Sequence, residues 1–547
     1  MYRSFILYLF LLLTCTSACF AQSGSNKQLE TTFDQLLSEQ FKQNETGCAA
    51  LVAQKGQVIY KKAFGMADLE LNVPMQVDMV FRIGSITKQF TAVAILQLME
   101  QGKLSLQDEI TKFIPDYPTQ GKTITIEHLL THTSGIKSYT NMEKFGEIIQ
   151  KDMKPEELIA FFKNEPMEFD PGTKWNYNNS GYFLLGYIIE KITGKTYPQY
   201  LEENFFQPLG MTNSYYGNDS KIIKNRASGY QPGPNGVENA DPMSMTLPYA
   251  AGSIQSTVED LFKWHQALHS YRLIKKENLE KAFTEYKLKD GKGVEYGYGW
   301  ALSKVQDSPS IEHGGGINGF LTNAIYLPKE GVFVAVFSNS LAKSPDLVSG
   351  KMVAAAIGKP YPSKAIDLED QVLQNYVGMY VHEEGGERSI LKEGKQLFTQ
   401  RGSGNKTPIK AFAKDQFFFD NSLTILEFKR DATGKVITMV SNDRGKIMNW
   451  KRTDVKKDLK VPAAVLHTYV GKYELNANLH LTISQEGERL FALPTGYPKE
   501  EIFPESENVF FSKNVDARIE FVKEADGKVT KLILHEGGKD MEGKKIQ

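Results

Sequence analysis

Cysteine is scarce in this sequence: Cys15, Cys19 and Cys48 are the only ones in 547 residues. Two of them fall in an N-terminal stretch that reads as a removable leader, which leaves Cys48 alone and excludes an internal disulfide framework. A lone cysteine ahead of an apolar strand is most often a small buried hydrophobe. Charge of one sign is lacking too. Lys and Arg number 64 against 65 Asp and Glu, a net charge of -1, with no long basic run. That balance argues against nucleic acid as a partner. An integral membrane span is also missing once the leader is removed, since the apolar run Phe5–Leu13 is too short to cross a bilayer comfortably.

What is present begins with that leader. Arg3 precedes the apolar run, small residues follow, and Cys19-Phe20-Ala21-Gln22 offers a small residue at the scissile bond. The pattern reads as a secretory signal over residues 1–21, cut after Ala21, and predicts a periplasmic or secreted protein. Lipid attachment at Cys15 or Cys19 is the weaker alternative, because neither follows a convincing Leu-x-small pattern.

Hydrophobic residues make up 41% and charged residues 24%, the balance of a globular chain too long for one core. Leu29, Phe33, Leu36, Leu37 and Phe41 share a helical face, so a helix runs to about Lys42. Ala49–Ala53 and Gln57–Tyr60 read as a hairpin turning at Lys55-Gly56. Residues 85 to about 268 read mainly as helix. Strands return at Tyr296–Leu302, Ser310–His313, Phe320–Tyr326 and Val332–Phe337, and a helix over Leu347–Ile357 closes the unit. An α+β fold follows, in which one antiparallel sheet is completed by both ends of the domain around an inserted helical region. That domain spans residues 22–360.

Beyond Lys359-Pro360-Tyr361-Pro362 the texture changes to short alternating strands with Gly-rich turns. Tyr376-Val377-Gly378-Met379-Tyr380 recurs as Tyr469-Val470-Gly471-Lys472-Tyr473, a period of 93 residues from Tyr376 to Tyr469. A repeat of this length is a duplicated small domain. The copies, 363–455 and 456–547, read as all-β barrels or sandwiches.

Three short patterns could carry chemistry. The first is Ser85-Ile86-Thr87-Lys88, opening a helix that is apolar on nearly every face to Gln101 and is stopped by Gly102. Lys88 lies one turn from Ser85 on the same face. Burial and the positive end of the helix dipole both disfavour its ammonium form, so Lys88 can accept the Ser85 proton and make a nucleophile without histidine. Spacing alone is weak, because Ser134…Lys137, Ser340…Lys343 and Ser403…Lys406 share it, and a capping serine with a solvated lysine accounts for those. The second is Tyr177-Asn178-Asn179, on a loop before a buried helix starting near Tyr182. Tyr177 can act as a general acid or base and Asn179 can bind a substrate carbonyl. Alternatively Tyr177 simply packs and Asn179 caps the helix. The third is His313-Gly314-Gly315-Gly316 at the end of a strand, where glycines permit close backbone approach and exposed N–H groups can form an oxyanion hole. An α/β-hydrolase would also use such a loop, but it needs a Gly-x-Ser-x-Gly elbow that this sequence lacks.

Ser85-x-x-Lys88, Tyr177-x-Asn179 and His313-x-Gly315, in that order, resemble the three motifs of the class C β-lactamase and penicillin-binding-protein (DD-peptidase) superfamily. Leu129-Leu130-Thr131-His132-Thr133-Ser134-Gly135, Pro208-Leu209-Gly210-Met211, Gly252-Ser253 and Tyr296-Gly297-Tyr298-Gly299-Trp300 are similar to neighbouring family phrases. The resemblance covers about residues 30–358. It implies the β-lactamase fold and a serine hydrolase in which Ser85 forms an acyl-enzyme while Lys88 and Tyr177 move protons. By the same resemblance Asn179 holds the substrate amide, and His313 orients the substrate's negative end or assists the tyrosine. Gly315 and Gly316 belong to the substrate edge, and the oxyanion sits between the N–H groups of Ser85 and Gly316. His313 stands where many members carry lysine, which counts against efficient β-lactam hydrolysis. The implied substrates are D-amino-acid peptides or cell-wall fragments, as for D-aminopeptidases and DD-carboxypeptidases. An esterase or weak β-lactamase is the runner-up, and a non-hydrolytic penicillin-binding sensor is the alternative of another class. Neither metal nor cofactor is implied. His265 and His269 are spaced i, i+4 on a helix read as opening with a Ser256…Glu259 capping box, and they lack a third ligand. His132 is expected to make structural hydrogen bonds in its loop.

Overall fold

The apolar run at Cys48 becomes a central strand because both faces of its sheet are covered. Six antiparallel strands lie in the order Ala301–Val305, Ser308–Ile317, Phe320–Leu327, Val332–Ser338, Cys48–Gln54 and Gln57–Phe64. The N-terminal hairpin therefore docks on the C-terminal meander, with Cys48 opposite Ser338 and Gln54 opposite Val332. Alternation splits the residues between two cores. Ala49, Leu51, Ala53, Ala335 and Phe337 face the helical region. Cys48, Ala50, Val52, Val334 and Val336 face the other way, onto Phe33 and Leu37 of the helix at 27–40, Phe41 just after it, and Val348 and Met352 of the helix Asp346–Ala356. The Cys48 thiol is fully buried and its pKa is pushed up by desolvation, so it packs as a hydrophobe. The hairpin turns through Lys55 and Gly56, both at positive φ.

This computed structural model describes residues 27–546 apart from 218–219, 403, 454–460, 477–478, 505, 513–516, 525–526 and 537–538. The leader over 1–21, with Cys15 and Cys19, lies outside the described residues, as does Ser403. Among the described residues no helix is long and apolar enough to cross a membrane. The chain divides between Tyr361 and Pro362 into two compact units. The second unit holds two closed eight-stranded antiparallel barrels, over Gly378–Thr453 and Gly471–Lys545, each preceded by a short helix.

Several local expectations are corrected. Tyr296–Trp300 is not strand. Glu295 and Gly299 adopt positive φ, and the strand begins at Ala301. A Cβ on Gly299 would sit 2.9 Å from the Lys88 carbonyl, so the turn is shaped by the serine helix it rests on. The glycines after His313 do not end their strand, which continues to Ile317 with Gly315 opposite Thr322. The capping box Ser256…Glu259 does not form. Thr257 caps instead, accepting from the Asp260 N–H at 3.1 Å, while Ser256 is buried against Ser214 at 2.8 Å. The helix after Tyr177 starts earlier than Tyr182, at Asn179, and its cap is Asn178, which accepts from the Gly181 N–H at 2.7 Å.

Candidate active site

Ser85 does not open an α-helix directly. It sits in a 3-10 turn, Gly84–Ile86, that leads into the α-helix Thr87–Glu100. The helix is anchored by apolar burial all round, for instance Phe90 stacked on Trp264 with ring centroids 3.9 Å apart. Losing a ring packed this way costs about 3–5 kcal/mol, so the serine turn rests on a rigid base. Thr87 Oγ1 accepts from the Ile254 N–H at 3.0 Å and ties the turn to the segment after Gly252-Ser253.

Lys88 is wholly buried, and its Nζ lies 3.1 Å from Ser85 Oγ, 2.9 Å from Asn179 Oδ1 and 2.9 Å from the Ala251 carbonyl. Burial pushes its pKa well below the ordinary lysine value. A neutral amine has two N–H bonds and one lone pair. With the two hydrogens given to Asn179 and Ala251, which can only accept, the lone pair is left for the Ser85 hydroxyl. In its neutral form Lys88 can accept the Ser85 proton in this geometry.

Tyr177 lies beside this pair, its ring centroid 4.7 Å from Lys88 Nζ. Its hydroxyl is buried without a hydrogen-bond partner, and desolvation raises its pKa, an effect softened by the nearby Ser85. Burial thus disfavours the charged form of both groups, an amine able to take a proton and a phenol able to give one. Because Asn178 does the capping, Asn179 is released for the site. Its Oδ1 accepts from Lys88 and its Nδ2 donates to Thr140 Oγ1 at 3.1 Å.

The glycine strand closes the other wall. A Cβ on Gly315 would lie 2.0 Å from the Ile83 carbonyl oxygen, and one on Gly84 would lie 2.9 Å from the Gly316 nitrogen. The backbone carrying Gly316 therefore touches the turn carrying Ser85. Thr322 Oγ1, on the next strand, donates to the Ile83 carbonyl at 3.0 Å and fixes the contact.

His313 makes both of its ring contacts within the protein. Its Nδ1 lies 2.6 Å from the Gly314 carbonyl and must donate there, so Nε2 accepts from the Tyr296 hydroxyl at 2.9 Å. Burial and the nearby Lys88 lower its pKa to about 4, leaving the ring neutral near pH 7. Both nitrogens are occupied and no charge remains to meet an anion. Its ring lies 6.1 Å from that of Tyr177, so support of the tyrosine fits the arrangement better.

Some of this site was not expected from sequence. Trp175, 40% exposed, lies with its ring 6.5 Å from that of Tyr177 and 6.1 Å from that of Tyr296. Its closeness to Tyr177 in the chain was the available signal. His132 accepts from the Asn178 N–H at 3.0 Å, and its ring lies 4.4 Å from that of Tyr177 at a tilt of 41°. In two of the competing serine–lysine pairs the lysine is engaged elsewhere, Lys137 with Glu168 and Lys343 with Glu45. Among the described residues no group of three His, Cys, Asp or Glu side chains could hold a metal. His265 and His269 lie against Tyr326, with ring centroids 4.4 and 4.3 Å away.

The comparisons with known proteins agree with this geometry. The Beta-lactamase family model matches residues 29–359, and that of a domain of unknown function (DUF3471) matches residues 455–545. A penicillin-binding protein of Bacillus subtilis is 28% identical over 443 residues, 74% of this chain and 94% of that protein. The octameric penicillin-binding protein homologue of Pyrococcus abyssi superposes with a TM-score of 0.55 at 27% identity, covering 78% of this chain and 99% of that one. The D-amino acid amidase of Ochrobactrum anthropi SV3, complexed with D-phenylalanine, gives 0.54 at 25% identity, covering 60% and 99%. With its family's sheet, its serine turn and its matched length, the chain belongs to the β-lactamase and penicillin-binding-protein superfamily.

Proposed function

We propose that this chain is an exported serine hydrolase that cleaves a small amide or ester through an acyl-enzyme on Ser85. The observation that carries the proposal is the buried Lys88 amine, 3.1 Å from Ser85 Oγ with its other two polar contacts fixed on acceptors. In acylation Ser85 Oγ attacks the substrate carbonyl and its proton moves to Lys88 Nζ. The oxyanion is held by the N–H groups of Ser85 and Gly316. Tyr177 gives its proton to the leaving nitrogen or oxygen and regains one from the Lys88 ammonium. In deacylation water attacks the ester carbonyl, the same groups take its proton, and Ser85 is released with its hydroxyl restored. Asn179 positions the acyl side through its remaining amide hydrogen.

For the substrate, the uncharged and fully engaged His313 favours an acyl group and leaving group with no carboxylate next to the scissile bond. D-amino-acid amides, esters or short peptides, including peptidoglycan fragments, fit that description. DD-carboxypeptidase substrates and penicillins, which place a carboxylate there, fit it less well. The likeness to a D-amino acid amidase supports the same choice. A carboxyesterase with weak β-lactamase activity is the second reading, favoured by the half-exposed aromatic surface of Trp175 beside Tyr177. A matched panel separates them: D- and L-phenylalanine amide, a p-nitrophenyl ester, a D-Ala-D-Ala peptide and a penicillin. Turnover of the D-amide above its L-enantiomer supports the first reading. Ester turnover alone supports the second, and turnover of the carboxylate-bearing substrates above the rest contradicts the His313 argument.

A further inference from the structure

The two barrels keep one register along their whole length. Tyr376, Tyr380, Phe417 and Phe428 of the first are matched at the constant spacing of 93 by Tyr469, Tyr473, Phe510 and Phe521 of the second. Tyr380 donates to the Tyr376 carbonyl at 2.8 Å, and Tyr473 donates to the Tyr469 carbonyl at 2.8 Å. Strand pairing corresponds as well, Arg388 facing Arg401 in the first and Leu481 facing Pro494 in the second. One end of the first barrel nevertheless differs in kind. The positions there that alternate with buried Tyr380, Ile390, Leu397 and Met439, and so point inward, are His382, Arg388, Thr399, Arg401, Ser441 and Trp450. Their counterparts are Leu475, Leu481, Ala492, Pro494, Leu534 and Gly543.

Arg388 and Arg401 sit directly opposite each other on neighbouring strands, an arrangement that costs stability through like-charge repulsion. Both guanidinium groups lie over the buried Trp450 ring, 5.1 and 5.7 Å from its centroid. Trp450 is held in place by donating to Ser441 Oγ at 3.1 Å, with the His382 ring 5.3 Å away. Among the described residues neither arginine pairs with a carboxylate, and both Arg388 Nε and Thr399 Oγ1 are buried without a hydrogen-bond partner. The same frame closes in the second barrel with apolar residues, so folding does not require the arginines. Two unneutralised guanidinium forks on an aromatic floor, with an unused hydroxyl beside them, are the recognition elements for a planar or tetrahedral oxyanion. We propose that this end of the first barrel is a binding site for an oxyanion, a carboxylate or a phosphate group, held by Arg388 and Arg401 above Trp450.

The test uses the full chain labelled with 5-fluorotryptophan. Its 4 tryptophans give resolvable fluorine resonances, and the Trp450 signal is assigned from W450F. Inorganic phosphate and acetate are titrated separately, each against sodium chloride at matched ionic strength. A saturable shift of the Trp450 signal beyond the chloride control supports the site. Response to phosphate alone identifies a phosphate group, response to acetate alone a carboxylate, and response to both the shared chemistry. R388L installs the second barrel's own residue, and R401Q alters an exposed position, so R401Q decides should R388L not fold. Each should weaken the response at least tenfold. No shift beyond chloride in either arm, or an unchanged titration in R401Q, overturns the proposal.

Discussion

Replacing Lys88 by methionine isolates the protonation state on which the chemistry depends, without reference to any substrate. Burial holds the Lys88 pKa well below its ordinary value in the folded chain, whereas unfolding restores it to about 10.4. Between those two values the unfolded chain binds one more proton than the folded chain, so stability rises with pH across that window. The slope is about 1.4 kcal/mol per pH unit for one group. Lys88→Met removes this contribution and leaves the rest of the titration in place. His132 and His313, whose pKa values Lys88 also lowers, are neutral in both states in the alkaline range. The stability of the native chain minus that of Lys88→Met should therefore fall as the pH drops below about 10.4, by up to about 1.4 kcal/mol per pH unit, until the lowered folded-state pKa is reached. Urea unfolding of both full-length proteins, followed by tryptophan fluorescence, measures it, since Trp175, Trp264 and Trp300 all lie in the first unit. A difference that does not change with pH would mean that Lys88 is charged when folded, and the reasoning about its lone pair would be refuted.

Three further outcomes follow from particular contacts. Tyr177→Phe removes a buried hydroxyl that has no partner, so stability should hold or rise by about 1 kcal/mol while kcat/KM falls about 10²–10⁴-fold; paired denaturation and kinetics read both. Gly315→Ala drives a Cβ to 2.0 Å from the Ile83 oxygen, so the strand or the serine turn must shift, with a stability loss of about 1–3 kcal/mol and loss of acylation. Thr257→Ala deletes the cap of the Val258–His269 helix and should cost about 1 kcal/mol by denaturation, whereas Ser256→Ala should leave that helix capped.

How much of this was legible in the sequence depends on what each feature is made of. The sheet completed by both ends of the first domain was readable from the order of its elements, a hairpin at Ala49–Tyr60, then helices, then strands returning up to Val332–Phe337. The second barrel announced itself by repeating Tyr-Val-Gly-x-Tyr, since the tyrosine hydroxyl that latches the strand is a side-chain feature. Ser85, Lys88, Tyr177 and Asn179 are brought together around one Nζ, and their residue types carry the signal. The Ala251 carbonyl, the third contact of Lys88, could not be found that way because any residue supplies one. Tyr296–Leu302 reads as strand, but close approach to the Lys88 carbonyl bends it at Gly299, and the strand starts only at Ala301. Ser256 and Thr257 are equally good caps on paper, and only the burial of Ser256 against Ser214 decides between them. For His313 the resemblance leaves two roles open, orienting a substrate's negative end or assisting the tyrosine, and the Gly314 carbonyl and Tyr296 hydroxyl that occupy its ring nitrogens come from its tertiary surroundings. The arginine end of the first barrel likewise became visible only once a shared register put Arg388 beside Leu481.

The measurement that bears most directly on the central claim is the intact mass of the mature chain after exposure to a fluorophosphonate and, separately, a penicillin. The account predicts one covalent adduct on the native chain with the fluorophosphonate, located at Ser85 and absent from Ser85→Ala, and any penicilloyl adduct at the same residue. Its lifetime separates a hydrolase, which clears it, from a sensor that only captures ligand. Folded native protein that takes up neither probe, or that is labelled equally when Ser85 is alanine, would contradict the account.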